Sequence, residues 1–284
     1  GFEVAIHYHS SENSAHELVE YIKSKIGKNS VALCADLTKE LEVRELIARS
    51  SENLGGPISC LINNASIFEY DNIWTANRES WDRHIESNLR APLVLTQSFA
   101  NQVPLINNDE NGEPVAQGLI INLIDQRVKK LTPEFTSYTI AKMGLWALTQ
   151  TSAQALAPNI RVNAIGPGPT LKGARQSEEH FESQRKNTVL GRGSDSSEIV
   201  AAVLSVVSVL LPVPIQAAGD TGGPRQSPAE ALRAWRYSFS TVLRALLQGF
   251  VVLSAFWRAL AHPEENRSSS NAQNHNDNDS NDAR

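Results

Sequence analysis

Two short apolar runs on either side of a helical segment constrain the fold of this chain more than any other feature. Residues 117–124 are rich in isoleucine and are typical of a buried parallel strand, which ends at Asp125. A helix is predicted over residues 141–157, and residues 159–165 predict the next strand, before the turn Gly166–Pro169. Strand, helix and strand in this order indicate an open α/β sheet.

Candidate catalytic residues gather at one edge of that predicted sheet. Active sites of open α/β sheets lie beyond the carboxyl ends of the strands, where Asp125 and the helix that carries Tyr138 are expected. Lys142 follows Tyr138 by one helical turn, which puts both side chains on one face. A free phenol has a pKa of about 10, and a neighbouring ammonium moves it towards neutrality. The pair predicts a general acid, although by itself it also fits a solvated helix face.

The motifs around this pair resemble those of the short-chain dehydrogenase/reductases over about the first 200 residues. They are Asn63–Ser66 after a strand, Asn88 in a long helix, Tyr138 with Lys142, and Arg161–Gly168. The resemblance implies a Rossmann-like doubly wound parallel sheet and an NAD(P)-dependent oxidoreductase. It also implies that Tyr138 exchanges a proton with the substrate. By the same resemblance, Lys142 lowers the pKa of Tyr138 and holds the nicotinamide ribose, and Asn88 supports a proton-relay water.

Asp125 departs from the usual family pattern, which has a serine thirteen residues before the tyrosine. A carboxylate cannot donate a hydrogen bond to a carbonyl substrate unless it is protonated, and it suits a nitrogen heterocycle better. The pteridine reductases have an aspartate there, and this chain also has their serine and phenylalanine in Asn64–Phe68. The resemblance implies a pterin-like substrate bound by Phe68, Asp125 and Tyr138, with the Phe68 ring stacked on it. The alternative for Phe68 is a core position under a loop.

The beginning of the chain favours NADPH over NADH. Residues 2–8 predict a strand that is followed by His9, Ser10 and Ser11, with no acidic residue to bind the ribose hydroxyls of NAD. These side chains can donate hydrogen bonds to a 2′-phosphate, although the pteridine reductases have an arginine in place of Ser10. A solvated polar turn is the alternative.

Further cofactor contacts follow from the resemblance, which matches Asp36 and Leu37 to the family's adenine-contacting pair. The predicted cofactor-binding residues are His9, Ser10, Ser11, Asp36, Leu37, Asn64, Ala65, Ser66, Tyr138, Lys142, Pro167, Gly168 and Thr170. The family's glycine-rich turn, which cradles the pyrophosphate, has no counterpart in this sequence. We therefore expect an N-terminally truncated domain that lacks the first strand of its fold and binds cofactor weakly or not at all.

The C-terminal part departs from the family pattern. A helix is predicted from Asp195 to Leu211, but the prolines that follow make a poor central strand. The sequence predicts a Rossmann-type domain over residues 1–210 and an atypical, partly helical extension over 211–263, with a helix from Ala229 to Ala261 that is broken near Gly249. Residues 264–284 are polar and are predicted to be disordered.

Composition narrows the classes of partner. The net charge of −5 and the pI near 5.8 give no electrostatic footprint for nucleic acid. The apolar run 245–257 is shorter than the roughly twenty residues that a spanning helix needs, which argues against a membrane protein. A helix that lies on a membrane surface is the alternative, because tryptophans and arginines flank the run. The histidines have no ligand spacing, so no metal site is expected. Cys34 and Cys60 lie in predicted strands and are interpreted as buried, reduced thiols of a cytoplasmic protein.

The resemblance also implies a homo-oligomer, a tetramer or a dimer, that pairs through the helices spanning residues 78–102 and 139–157. Two other functions remain compatible with the sequence. A broad carbonyl or 3-oxoacyl reductase would use the same Tyr138 and Lys142. A truncated, non-catalytic member that no longer binds dinucleotide would explain the missing glycine-rich turn.

Overall fold

A six-stranded sheet forms the centre of the molecule. The structure, a computed structural model, describes residues 2–173, 176–210 and 250–254. The strands of the sheet are β1 (Glu3–Tyr8), β2 (Ser30–Cys34), β3 (Cys60–Asn63), β6 (Gly118–Leu123), β7 (Ile160–Ile165) and β8 (Phe250–Ser254). Two short strands, β4 (Asn107–Asn108) and β5 (Pro114–Val115), pair separately. The order in the large sheet is β2-β1-β8-β3-β6-β7.

Helices connect the strands and pack on both faces of the sheet. They are α1 (Glu12–Tyr21), α2 (Glu40–Leu54), α3 (Arg78–Ile85), α4 (Ala91–Gln102), α5 (Thr136–Leu156), α6 (Glu178–Lys186) and α7 (Ser196–Leu210). A π-helical turn, Glu86–Arg90, joins α3 to α4, so that residues 78–102 form one long helix as predicted. The predicted helix after β6 begins at Thr136 rather than at residue 141.

The burial pattern of β6 shows that helices cover both faces of the sheet. All six residues of the strand are buried. Leu119 and Ile121 belong to the core that includes residues of α1 and α7, whereas Ile120 belongs to the core that includes residues of α2 and α4. Because successive side chains of a strand point to opposite faces, an unbroken apolar run is what two covered faces require. This arrangement confirms the predicted doubly wound sheet.

Five strands of the sheet run parallel, and β8 runs against them. It pairs antiparallel with β1 on one side and with β3 on the other, and Val252 stands opposite both Ala5 and Leu61. The predicted helix over residues 229–261 is therefore wrong at residues 250–254. This segment forms a strand because it hydrogen-bonds to the edge of β1 on one side and to the edge of β3 on the other. The rest of that prediction, and the predicted disorder of residues 264–284, lie outside the described residues.

In the part of the chain that the structure describes, no helix has both the length and the apolar character needed to cross a membrane. The same residues contain no group of three or more His, Cys, Asp or Glu side chains placed to share a metal ion.

Candidate active site

A hydrogen bond between Tyr138 and Asp125 forms the centre of the candidate site. Asp125 comes two residues after the end of β6, and Tyr138 lies in the first turn of α5. The phenol of Tyr138 donates to Oδ2 of Asp125 over 2.9 Å. The other carboxylate oxygen, Oδ1, accepts the backbone N–H of Arg127 over 2.8 Å. Both carboxylate oxygens are thus engaged, which fixes the carboxylate at the carboxyl edge of the sheet.

The environment of Tyr138 raises the pKa of its phenol. The side chain is only 5% exposed, and burial disfavours the phenolate most strongly, followed by the charge of Asp125 and its hydrogen bond. Ser66 and Arg127 act in the opposite direction but do not reverse the shift. The prediction that Lys142 draws this pKa towards neutrality is therefore wrong for this structure, in which the phenol is held protonated.

Lys142 is directed at the sheet and not at the phenol. Its Nζ donates to the carbonyl of Leu123 over 2.8 Å and lies 5.8 Å from the centroid of the Tyr138 ring. The side chain is 3% exposed, and burial lowers its pKa to about 8, against the opposing effect of the Asp125 carboxylate. An amine with a pKa of about 8 can bind or release a proton near neutral pH.

Aromatic rings form a wall beside the Tyr138–Asp125 pair. The Phe68 ring is nearly parallel to that of Phe135, at 4.4 Å and 8°, and meets the Tyr138 ring edge-on at 4.7 Å. Tyr70 packs edge-on against Phe135 at 5.3 Å. Phe68 is 46% exposed, so the alternative of a core position is wrong. An exposed ring next to a hydrogen-bonding pair can accept a flat ligand by stacking.

Phe135 has an unusual backbone that sequence reasoning did not foresee. Its φ of 59° and ψ of 47° are left-handed, a conformation that is rare for bulky residues. The residue precedes α5, and its N–H donates to the carbonyl of Asp71 over 2.6 Å. Glycine or asparagine usually occupies such a turn, so a phenylalanine gives no sequence signal of it.

Buried polar side chains hold the start of α5 from behind. Asp71 accepts hydrogen bonds from the backbone N–H of Ser137, over 3.2 Å, and from its hydroxyl. The Ser137 hydroxyl also contacts Nδ1 of His84 at 2.7 Å, while Nε2 of His84 accepts the N–H of Glu69. Burial lowers the pKa of His84, which favours the neutral ring. Since Ser137 precedes Tyr138, this network fixes the position of Tyr138, and no recognisable motif predicted it.

Asn88 holds the loop that carries Phe68. It is fully buried in the π-helical turn, where its Oδ1 accepts the N–H of Ile67 and its Nδ2 donates to the carbonyl of Ile67, each over 2.8 Å. The amide therefore fixes this loop against the long helix. Its role with a relay water stays a prediction.

The residues predicted to bind the adenine end of a cofactor follow β1 and β2. His9, Ser10 and Ser11 are exposed, and Nε2 of His9 lies 3.9 Å from the carboxylate of Asp36. Although partial burial acts against it, two hydrogen bonds from Thr38 hold the pKa of Asp36 below its usual value. By contrast, the side chain of the predicted contact Leu37 is buried in the core.

The residues predicted at the nicotinamide end follow β3 and β7, at the same edge of the sheet. Asn64, Ala65 and Ser66 lie in the loop after β3, and Pro167 and Gly168 follow β7. The hydroxyl of Thr170 donates to the carbonyl of Gly168 over 3.1 Å. Polar groups that can bind a dinucleotide lie along this edge of the sheet. Among the described residues, no glycine-rich turn lies at the part of the edge between β1 and β3.

Comparisons with known proteins give a consistent result. The family model described as enoyl-(acyl carrier protein) reductase matches residues 1–212. The 3-oxoacyl-(acyl-carrier-protein) reductase FabG of Staphylococcus epidermidis is 32% identical over 59% of this chain and 65% of that protein, so the match spans slightly less than two thirds of that relative. A short-chain type dehydrogenase/reductase of Picea abies is 26% identical over 72% of this chain and 77% of its own. The crystal structure of FolM alternative dihydrofolate reductase 1 from Brucella suis in complex with NADP superposes with a TM-score of 0.63. It is 40% identical and covers 71% of this chain and 76% of its own.

Proposed function

Since this chain belongs to the short-chain dehydrogenase/reductase family, we propose that it reduces a C=N bond of a pterin-like ring with NADPH. The observation that carries the proposal is the hydrogen bond from Tyr138 to Asp125. An ionised Asp125 can accept hydrogen bonds from the ring or amino N–H groups of a pterin, whereas a carbonyl oxygen would need a donor at this place. The likeness to the Brucella suis reductase supports this substrate class.

The side chains have distinct roles in the proposed reaction. The raised pKa of Tyr138 keeps its phenol protonated at neutral pH, so the phenol can donate a proton to the reduced ring nitrogen. Asp125 orients the ring through its nitrogen atoms and keeps the phenol in place. Phe68 stacks on the ring, and Lys142, whose Nζ is bonded to the carbonyl of Leu123, holds the nicotinamide ribose. These groups position the ring and exclude side reactions.

NADP(H) is the cofactor that we propose for this site. Bound at the carboxyl edge of the sheet, NADPH would supply the hydride. His9, Ser10 and Ser11 would bind its 2′-phosphate, Asp36 its adenine, and Tyr138 and Lys142 its nicotinamide ribose. Asn64–Ser66 and the loop of Pro167, Gly168 and Thr170 would line the nicotinamide end. Support comes from the NADP bound to the Brucella suis protein and from the exposed polar turn after β1. Weak binding, expected from the missing glycine-rich turn, stays a prediction.

The second candidate function is reduction of a 3-oxoacyl thioester. It is favoured by the 32% identity to the Staphylococcus epidermidis reductase. It would require Asp125 to be dispensable, because a serine at that position can donate to a carbonyl oxygen and a carboxylate cannot.

Replacing Asp125 by serine separates these functions. We expect Asp125→Ser to reduce kcat/KM for dihydrobiopterin by about 100-fold, because the variant loses charge-assisted hydrogen bonds to the ring and to the phenol, which contribute about 1.5–3 kcal/mol each. Activity on acetoacetyl thioesters should be kept or raised. The measurement is NADPH oxidation at 340 nm with each substrate, and Tyr138→Phe, which should lose both activities, is the control.

Two outcomes would contradict the pterin proposal. One is a wild-type protein that reduces only the thioester. The other is an Asp125→Ser variant that reduces dihydrobiopterin as well as the wild type does. A melting temperature that does not rise with millimolar NADPH would instead support the non-catalytic alternative.

We also propose that the protein is a cytoplasmic homo-oligomer. Trp81 on α3, and Ile140 and Met143 on α5, are large apolar side chains exposed on the two helices expected to pair. Such exposed side chains are suited to a two-fold interface. Cys60 is buried, which raises the pKa of its thiol, whereas Cys34 is exposed, so its predicted burial is wrong. Both are free thiols, which suits a reducing compartment. Light scattering after size-exclusion chromatography measures the assembly, and a monomer would contradict it.

A further inference from the structure

The imidazole of His84 contacts two segments of the candidate site and has no assigned role in the proposed reaction. It lies near the end of α3 and is 0% exposed. Its Nε2 accepts the backbone N–H of Glu69 over 3.1 Å, and its Nδ1 lies 2.7 Å from the hydroxyl of Ser137. Glu69 directly follows Phe68, and Ser137 directly precedes Tyr138. One side chain therefore joins the neighbour of the exposed aromatic ring to the neighbour of the phenol.

The hydrogen bonds define the tautomer of this imidazole. Because Nε2 accepts an N–H, it carries the lone pair, and the proton of the neutral ring lies on Nδ1. Nδ1–H then donates to the Ser137 hydroxyl, whose own proton is donated to the carboxylate of Asp71. Burial lowers the pKa of His84, and the opposing charges of Asp71 and Glu69 do not reverse this shift. The neutral ring thus keeps one acceptor and one donor, and each has a different partner.

The Nε2 contact fixes the loop that carries Phe68. Asn88 holds Ile67 before the aromatic residue, and His84 holds the N–H of Glu69 after it. Phe68 lies between these two anchors with almost half of its side chain exposed. Loss of the bond to His84 would remove the backbone anchor that immediately follows the ring and would leave a buried N–H without its acceptor.

The Nδ1 contact fixes the start of α5. Ser137 is 0% exposed, and its backbone N–H also donates to Asp71 over 3.2 Å. The imidazole of His84 meets the ring of Tyr138 edge-on as well, with centroids 5.9 Å apart and an angle of 73° between the planes. His84 therefore supports the tyrosine both through its neighbour in the chain and by direct ring contact.

We propose that His84 is a positioning residue that holds the Phe68 ring and the Tyr138 phenol in their relative places, each through a different ring nitrogen. The Nε2 contact acts on ligand binding, because it anchors the ring on which the ligand stacks. The Nδ1 contact acts on the proton-transfer step, because it supports the proton donor. This inference rests on the proposed function and adds a residue outside the ligand site to it.

Two substitutions separate the two nitrogens. The side-chain amide of asparagine reaches the place of Nδ1, so His84→Asn should keep the bond to Ser137 and lose the bond to Glu69. The amide of glutamine reaches the place of Nε2, so His84→Gln should keep the bond to Glu69 and lose the bond to Ser137.

The kinetic constants for dihydrobiopterin reduction should divide in the same way. For His84→Asn we expect KM to rise about fivefold, the scale of one hydrogen bond, while kcat changes less than about twofold. For His84→Gln we expect kcat to fall about fivefold, while KM changes less than about twofold. His16→Asn and His16→Gln, at an exposed position of α1, are the matched controls and should leave both constants unchanged.

Two measurements test the contacts without turnover. Hydrogen exchange read by mass spectrometry should be faster in the peptide that contains Glu69 for His84→Asn, but not for His84→Gln. In the wild-type protein, NMR of nitrogen-labelled histidine should show the Nδ1–H tautomer for His84 at neutral pH.

Three results would overturn the proposal. An Nε2–H tautomer in the wild-type protein would do so even if neither variant folds. KM and kcat that change together in both variants would mean that His84 only supports the fold. Equal exchange near Glu69 in the two variants would exclude separate roles of the two nitrogens. If the wild type reduces no pterin, the proposed function fails, while the tautomer and the exchange rates still test how His84 holds the two segments.

Discussion

At the scale of single residues, Lys142 shows a conflict between stability and chemistry. Its ammonium is buried, and a hydrogen bond to the carbonyl of Leu123 compensates for only part of the lost hydration. The pKa of the side chain falls from 10.5 to about 8 because the folded protein disfavours the charged form. A shift of this size corresponds to about 3 kcal/mol.

The pH dependence of stability follows from that shift. Below pH 8 both the folded and the unfolded states carry the proton, so the folded protein bears the full cost. Between about pH 8 and 10.5 the folded state loses its proton first, and the free energy of unfolding rises with pH. Lys142→Met should therefore raise the free energy of unfolding at pH 7 by about 1–2 kcal/mol, since the lost hydrogen bond offsets part of the gain. The variant should also lack the part of the rise in unfolding free energy between about pH 8 and 10.5 that Lys142 causes. It should be inactive.

Urea denaturation at pH 7 and pH 10 measures these effects. The exposed Lys25→Met is the control and should change the free energy of unfolding by less than about 0.5 kcal/mol. A Lys142→Met protein less stable than the wild type at pH 7 would show that the buried ammonium is a net stabilising group.

Sequence patterns predicted Asp125, Tyr138 and Lys142 as one group, because strand ends and helical spacing place residues reliably. They did not predict the direction of the Tyr138 pKa, which depends on burial and on where the Lys142 ammonium points. The polar contacts of Asp71 and His84 with Ser137 were also missed. Such contacts join residues far apart in sequence and follow no short motif.

At the scale of elements, close approach between two loops fixes the nicotinamide end of the candidate site. A Cβ at Gly193 would lie 2.1 Å from the carbonyl oxygen of Pro169, which is backbone and cannot rotate away. Gly193 precedes α7, and Pro169 lies between Gly168 and Thr170, two predicted cofactor residues. The position of α7 is thus coupled to the loop after β7.

Gly193→Ala should displace the loop after β7. We expect it to weaken NADPH binding at least fivefold and to lower the melting temperature by several degrees, as strain of about 1–3 kcal/mol does in a domain of this size. Gly56→Ala is the matched control, because a Cβ there meets nothing within 4 Å. Thermal shift with and without NADPH measures both effects, and equal cofactor affinity in the two variants would contradict the coupling.

Apolar runs and helix signals predicted the strands β1, β6 and β7 and the helices α5 and α7, since two covered sheet faces impose a simple pattern. The helices α2 and α6 were not predicted. Strand β8 was not predicted. Its segment also has the composition of an apolar helix, and only its pairing partners, distant in sequence, select the strand.

At the scale of the whole molecule, β8 joins the two halves of the sheet. In the order β2-β1-β8-β3-β6-β7, this strand lies within the sheet between the half that carries the predicted adenine contacts and the half that carries Tyr138. Outside the sheet, the two halves also share a core that includes residues of α2 and α4. Val252→Pro removes one backbone donor from a central strand and should cost about 3 kcal/mol or more. Val252→Ala, which keeps the N–H, is the control. Chemical denaturation measures the difference, and equal stability of the two variants would contradict the central position of β8.

At Phe135, the requirements of backbone conformation and of side-chain packing favour different residues. Glycine or asparagine would relieve a backbone cost of about 1–2 kcal/mol, but either would remove the ring that separates Phe68 from the Arg127 guanidinium. Substitutions at Phe135 that improve the yield of folded protein are thus expected to differ from those that preserve the aromatic wall of the candidate site. A screen for expression alone would select glycine or asparagine at this position and lose the aromatic ring.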